Sequence, residues 1–67
     1  MPIIGRPVRS SAIAYVEYDT DAETMTVDFT NGRSYTYQGV PEHMFERLVD
    51  DPSPGRFFND YIKSTYG

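Results

Sequence analysis

The chain has 67 residues, and its six Lys and Arg against ten Asp and Glu give a formal net charge of -4. It contains no cysteine, which excludes a disulfide framework, a thiolate zinc site and a cysteine nucleophile. No apolar run approaches the roughly 20 residues that cross a bilayer, and residues 1–6 lack the apolar region of a signal peptide. We therefore expect one cytoplasmic domain over residues 1–67, with no membrane segment.

So short a chain has a thin margin of stability, because a domain of about 60 residues buries only about 60% of its unfolded surface. Ten of its residues are Tyr or Phe, and each of these side chains can bury on the order of 150–250 Å². Self-association is the other way to gain buried surface. The sequence does not decide between the two.

The first half of the chain predicts strands. Residues 1–9 mix Pro and Gly with apolar residues, which is typical of an extended arm. Residues 11–18 form an apolar run of strand formers, and residues 24–30 alternate polar and apolar side chains. Asn31-Gly32 is a strong hairpin signal, and residues 33–37 follow as a third strand. These segments predict a three-stranded antiparallel meander.

The second half predicts two helices. Pro41 suits the first position of a helix whose apolar side carries Met44, Phe45, Leu48 and Val49. Ser53 and Pro54 are suited to be the N-cap and first residue of a second helix. Its apolar side comprises Phe57, Phe58, Tyr61 and Ile62. Three strands followed by two helices on one face of the sheet predict an α+β fold of βββαα order.

Tyr35 and Tyr37 share one face of the third predicted strand, and the length of the preceding turn decides which face that is. A two-residue turn puts both tyrosines on the polar side of the sheet, as an exposed platform beside Arg33. A three-residue turn with Gly32 left-handed makes Val27 face Tyr35 and directs both tyrosines toward the core. Packing is the ordinary role of aromatic residues in strands, and stacking on bases or on a partner's side chains is the functional alternative.

Few residues are suited to catalysis or metal binding. His43 is the only histidine, and its predicted position on the polar side of the first helix is typical of a solvated residue. Residues 19–23 begin like a calcium loop, but Thr24 and Thr30 replace the glycine and glutamate that such a loop requires. Every glycine stands alone, so there is no phosphate-binding glycine loop. We therefore expect no enzymatic activity, no metal and no cofactor.

An ordered set of short motifs runs through the chain: Arg9-Ser10-Ser11-Ala12-Ile13, Tyr18-Asp19, Met25-x-Val27-x-Phe29, Asn31-Gly32, Tyr35-x-Tyr37, Val40-Pro41, Phe45-x-x-Leu48, Ser53-x-Gly55-x-Phe57-Phe58-Asn59 and Ile62-Lys63. In this order and spacing they resemble the KTSC domain, a module named for its occurrence at the C-terminus of some lysyl-tRNA synthetases. The resemblance spans residues 8–66. It implies a free-standing bacterial or phage protein, and RNA binding is the activity suggested for such domains. The Tyr-x-Tyr motif is central to the family, whereas Pro54 stands where a lysine is often found.

Two functions follow as hypotheses. In the first, the domain binds RNA or another single-stranded nucleic acid, with Tyr35 and Tyr37 stacking on bases and with basic residues contacting phosphates. Those basic residues are Arg9, Arg33, Arg56 and Lys63. A net charge of -4 opposes this hypothesis unless folding gathers the basic residues on one face. In the second, the domain binds a protein through the same aromatic residues or through an acidic surface.

Overall fold

The sheet is the first layer of the fold, and its four antiparallel strands lie in chain order. The computed structural model describes residues 3–66. The strands are β1 (Ile3–Pro7), β2 (Ile13–Asp19), β3 (Thr24–Phe29) and β4 (Ser34–Tyr37). The predicted α+β class is confirmed, but the prediction of three strands is wrong, because the sequence assigned the first strand to an irregular arm.

The N-terminal segment is a strand because its Pro and Gly residues lie where an edge strand tolerates them. Pro7 pairs with Tyr15 at the end of β1, on the outer edge of the sheet. Gly5 lies beneath the ring of Tyr15, so close that a Cβ atom at this position would collide with the tyrosine hydroxyl. An aromatic ring over a glycine of the neighbouring strand covers a backbone that would otherwise be exposed. The first two residues of the predicted arm lie outside the described residues.

Helices form the second layer. Helix α1 (Glu42–Asp50) begins after Pro41, which caps the helix and is not its first residue as predicted. Helix α2 (Pro54–Phe57) begins after Ser53 with Pro54 at its start, as predicted. It continues into a π-helical segment (Phe58–Lys63) and a last turn, α3 (Ser64–Tyr66). No helix among the described residues is long and apolar enough to cross a membrane.

The prediction of a regular second helix is wrong over the π-helical segment. The sequence predicted a regular helix because the apolar positions there fit an α-helical wheel. The spacing of apolar residues does not reveal a single wider turn. In that segment the backbone follows an i→i+5 pattern instead of i→i+4.

The core lies between the two layers and is formed by β2, β3, α1, α2 and the π-helical segment, together with two loop residues. The buried apolar residues are Val8, Ile13, Val16, Tyr18, Met25, Val27, Val40, Phe45, Leu48, Phe57, Phe58 and Ile62. Three phenylalanines and one tyrosine are among them, so aromatic residues contribute much of the buried surface of this small domain.

The β3–β4 register follows the three-residue turn. Val27 pairs with Tyr35 and Met25 with Tyr37, so both tyrosines lie on the face that the helices cover. Gly32 has a φ of 90°, a left-handed conformation that glycine adopts without strain. The alternative of a two-residue turn is therefore wrong, and Ser34 and Thr36 occupy the open face of the sheet in place of the tyrosines.

Candidate functional site

A groove with a volume of about 1120 Å³ opens between the β3–β4 hairpin, the loop before β2 and the helix that begins at Pro54. We call it the aromatic groove. Four aromatic rings form its floor: Phe29, Tyr35, Tyr37 and Phe58. β4 is an edge strand, and the tyrosines on its helix-facing side are only partly covered.

The rings of the floor hold one another in edge-to-face contact. Phe29 lies 5.2 Å from Phe58 and 5.8 Å from Tyr35 between ring centroids, and Tyr37 lies 5.6 Å from Phe58. Edge-to-face pairs at such distances contribute about 0.5–1.5 kcal/mol each beyond buried area. Phe58 is nearly buried, whereas Tyr35 keeps 47% of its surface exposed. The floor therefore presents the ring of Tyr35, which packs against Phe29 and keeps an exposed surface for a ligand.

Tyr37 is the more enclosed tyrosine of the floor. Burial, with a smaller contribution from the neighbouring Tyr35, raises its pKa above the usual 10.0. Its phenol therefore keeps its proton, which can donate a hydrogen bond, to a higher pH than an ordinary tyrosine does.

Four basic side chains line the aromatic groove: Arg9, Arg33, Arg56 and Lys63. These are four of the six basic residues of the chain, and no carboxylate or histidine lines the groove within residues 3–66. The two remaining basic residues and all ten acidic residues lie elsewhere. The net charge of -4 thus consists of +4 along the groove and -8 over the rest of the chain.

One of these cations has an acidic neighbour. The Arg56 Nε atom lies 3.7 Å from Oδ2 of Asp60, and both side chains are largely exposed. An exposed pair of this kind is weak and is screened by solvent. Arg56 therefore remains available to an anionic ligand.

The π-helical segment helps to place Lys63. In an α-helix, residues four apart lie on the same side, whereas in a π-helical turn this holds for residues five apart. Phe58 and Lys63 are five apart and both line the aromatic groove. The wide turn thus allows a buried ring and an exposed ammonium group to serve the same site.

The loop before β2 meets the start of α2 at one end of the groove. The Ser10 Oγ atom accepts hydrogen bonds from the backbone N–H groups of Ala12, at 3.1 Å, and Ile13, at 3.3 Å. A Cβ atom placed on Gly55 would lie 3.3 Å from the same Oγ. The motifs Arg9-Ser10-Ser11 and Ser53-x-Gly55, which are far apart in the sequence, are thereby neighbours.

All six residues named from the sequence line the aromatic groove: Arg9, Arg33, Tyr35, Tyr37, Arg56 and Lys63. Their role in binding stays a prediction. Of the two registers left open by the sequence, the one with a platform of tyrosines on the polar face is wrong, because both tyrosines lie on the helix-facing side. Sequence reasoning missed the part that Phe29 and Phe58 play in the floor, since their apolar positions indicated only core packing.

Two other candidates lie away from the groove. His43 is exposed on α1 and does not line the groove. In the acidic turn after β2, the Asp19 Oδ1 atom accepts hydrogen bonds from the backbone N–H groups of Asp21 and Ala22. That arrangement is an Asx turn, and no group of three potential metal ligands occurs within residues 3–66.

The fold and the groove define a small α+β domain whose single sheet leaves an aromatic, basic groove at one edge. The chain matches the KTSC domain model over residues 9–66. It therefore belongs to the KTSC domain family, as the ordered motifs indicate.

Relatives of this chain include free-standing proteins and a part of an enzyme. A protein of Tsukamurella paurometabola is 38% identical over 61 residues, which cover 91% of each chain. A KTSC domain protein of Yersinia pestis, known from a crystal structure, is 33% identical with a TM-score of 0.89, and the match covers 98% of this chain and 93% of that one. A lysine–tRNA ligase of Nostoc punctiforme is 36% identical over 56 residues. The match covers 84% of this chain but only 10% of the ligase. These relatives are bacterial.

Proposed function

We propose that the aromatic groove binds single-stranded nucleic acid. The observation that carries this proposal is the gathering of four of the six basic residues around an aromatic floor, with no carboxylate from residues 3–66 in its lining. Attraction to phosphates dominates the affinity of most nucleic-acid-binding proteins. The overall charge of -4 argues against such binding only if charge is spread evenly, and here it is not.

The exposed tyrosine favours an unpaired strand over a duplex. Tyr35 offers nearly half of its surface at the edge of the sheet, and a base can stack on it only when the base is not already stacked within a helix. Stacking of this kind accepts any base, because each has a π face. The groove thus has the two features that single-strand binders combine, a basic surface and an aromatic ring.

RNA is the first ligand to test. A lysine–tRNA ligase contains a region 36% identical to this chain, and an enzyme with that name acts on an RNA. The likeness supports RNA as the ligand, with single-stranded DNA as the comparison.

The direct test is an NMR titration of the isotope-labelled chain with short single-stranded RNA and DNA at low salt. We expect the resonances of the aromatic groove to shift and those of α1 to stay in place. If three or four phosphates are contacted, log Kd should rise with log salt concentration with a slope of about 2–3. A titration that leaves the Tyr35 and Tyr37 resonances unmoved with both ligands would remove the proposal.

Two half-exposed tyrosines provide a matched pair of variants. Tyr35 is 47% exposed within the groove, and Tyr61 is 50% exposed outside it. Because stacking on one base contributes about 1–3 kcal/mol, Tyr35→Ala should weaken binding about 5- to 150-fold. Tyr61→Ala should leave Kd within about twofold of the original value, since surface substitutions away from a site have little effect. Equal losses in the two variants would contradict the assignment of the groove.

A protein partner is the second candidate, and the charge of -8 outside the groove favours it. An acidic surface complements a basic protein and speeds its association. The variants Glu42→Gln and Glu46→Gln should weaken such a complex, whereas Arg33→Gln should not. The opposite pattern would assign the partner to the groove.

A further inference from the structure

The two ends of the aromatic groove differ in chemistry. The loop end is formed by Arg9, Ser10 and Arg56 around Gly55. The hairpin end is formed by Arg33 and the half-exposed Tyr35. Phe29 lies between them, since its backbone N–H donates to the Arg33 carbonyl while its ring packs against the helix.

The hydroxyl of Ser10 is fixed by the loop so that it can act only as a donor. Its oxygen already accepts two backbone N–H groups, those of Ala12 and Ile13. A hydroxyl oxygen has two acceptor positions and one proton to donate. Both acceptor positions are used, and among residues 3–66 no hydrogen-bond acceptor takes that proton.

Gly55 leaves this hydroxyl accessible. A Cβ atom there would lie 3.3 Å from Ser10 Oγ and 3.6 Å from the Cβ of Ala12. Any side chain at this position would therefore press on the hydroxyl from the helix side. With glycine, the space beside Ser10 Oγ remains free, in a groove that Arg9 and Arg56 also line.

We propose that the loop end binds a phosphate group of the strand, with the Ser10 hydroxyl donating to a phosphate oxygen, while the hairpin end stacks the adjoining base on Tyr35. This inference rests on the proposed function. A phosphate oxygen only accepts hydrogen bonds, and it matches a donor hydroxyl between two arginines. The bound strand is thereby oriented, because phosphate and base are recognised by different residues of one groove.

Three variants distinguish the effect of the donated proton on binding from the effects of loop structure and of net charge. Asp and Asn both accept the two backbone N–H groups that hold Ser10, because either side chain forms the same local turn. Ser10→Asn keeps a donor, whereas Ser10→Asp removes it and adds a negative charge. Asn31→Asp adds the same charge near the hairpin end and keeps its own hydrogen bond from the Arg33 backbone N–H, which measures 3.0 Å.

The measurement is fluorescence anisotropy with one single-stranded RNA, prepared with and without a 5′-phosphate. We expect Ser10→Asp to weaken binding at least tenfold more than Asn31→Asp, since a hydrogen bond to a charged group is worth about a factor of ten or more. Ser10→Asn should stay within about threefold of the original Kd, which is the usual effect of a tolerated surface substitution. Urea unfolding of each variant checks that the loop change has not altered stability.

Each result decides between the possibilities. Equal losses for Ser10→Asp and Asn31→Asp, or an equal loss for Ser10→Asn, would overturn the assignment of phosphate to the loop end while the proposed function stands. A parent chain that binds neither RNA would overturn both. If Ser10→Asp weakens binding more for the RNA with a 5′-phosphate, the bound phosphate is terminal; if it does not, the bound phosphate is internal. The proposal requires that Ser10→Asp weaken the binding of at least one of the two RNAs.

Discussion

Tyr18 and Tyr35 lie on the same face of one sheet and yet differ in every physical property that matters for binding. Tyr18 is 1% exposed, stacks on Phe45 of α1 at 5.2 Å and donates its hydroxyl proton to the Val40 carbonyl at 2.6 Å. Tyr35 is 47% exposed and lies edge-to-face with Phe29 at 5.8 Å. The position of the helical layer, not the face of the sheet, determines which tyrosine can meet a ligand.

The surroundings of the two tyrosines also differ in charge. Besides burial, nearby carboxylates raise the pKa of Tyr18, namely those of Glu23, Glu42 and Asp19. Tyr35 lies in the groove with four basic residues. The half of the molecule under α1 is thus closed and acidic, whereas the half beside α2 is open and basic. Stability and binding should therefore respond to substitutions in different halves.

The largest expected effect is a difference between the two halves in how much an aromatic truncation lowers the free energy of unfolding. Phe45→Ala removes a ring that is 2% exposed, and such truncations cost about 3–5 kcal/mol of unfolding free energy. Tyr35→Ala should cost about 1 kcal/mol or less, because it loses only one edge contact. Urea unfolding measures both. Comparable losses would show that Tyr35 belongs to the core.

Tyr18→Phe should have the next largest effect. It leaves the buried Val40 carbonyl without the hydroxyl that donates to it, at a cost of about 1–3 kcal/mol. Tyr35→Phe, the matched control in the open half, should change stability by about 0.5 kcal/mol or less. An unchanged unfolding midpoint in Tyr18→Phe would mean that water replaces the lost donor.

The same tyrosine predicts how stability depends on pH. The pKa of Tyr18 is raised by burial and then by the nearby carboxylates. As the pH rises past the ordinary value of 10.0, the unfolded chain therefore loses this proton before the folded chain does. The contribution to the free energy of unfolding is complete below pH 10.0 and is lost as the pH rises through the folded pKa. Thermal unfolding between neutral and alkaline pH should show a smaller decline in Tyr18→Phe, and an equal decline would contradict this cause.

A pair of arginines tests the difference in charge. Arg33 lines the aromatic groove, whereas Arg6 lines a second depression with Glu42, Glu46 and Asp50. Arg33→Gln should weaken RNA binding several-fold and lower the salt slope by about 0.7, the value for one phosphate contact on a single strand. Arg6→Gln removes the same charge and should leave the slope unchanged. If both variants lower it alike, binding depends on net charge and not on the groove.

The smallest expected effect comes from Gly55→Ala. The added methyl group would meet Ser10 Oγ at 3.3 Å and crowd the loop end. Alanine favours a helix over glycine by about 1 kcal/mol, so the free energy of unfolding should change little. We expect a several-fold loss of affinity with stability kept, and unchanged affinity would show that the space beside Ser10 is not used.

The elements and their order could largely be predicted from local patterns. Strand alternation, the Asn31-Gly32 turn and the helical spacing of Phe45 and Leu48 each depend on neighbouring residues only, and the structure contains all of them. The first strand escaped prediction because Pro7 and Gly5 are poor strand formers. They are tolerated at an edge, and which strand forms the edge is a property of the whole sheet.

The candidate site could be predicted only in part. The sequence singled out Tyr35 and Tyr37 but left two registers open, because one residue in the turn exchanges the faces of a strand. It also could not tell how much of either tyrosine the helices would cover. In the structure Tyr35 lies on the helix-facing side and is still 47% exposed.

The sequence by itself determined the α+β class, the family, the absence of thiol chemistry and a total charge of -4. Only the tertiary structure decided where that charge lies. Arg9, Arg33, Arg56 and Lys63 are separated by as many as 54 positions in the chain, and they meet around one groove. Composition sums charges regardless of position, whereas a ligand responds to the local field, and folding alone sets the distances on which that field depends.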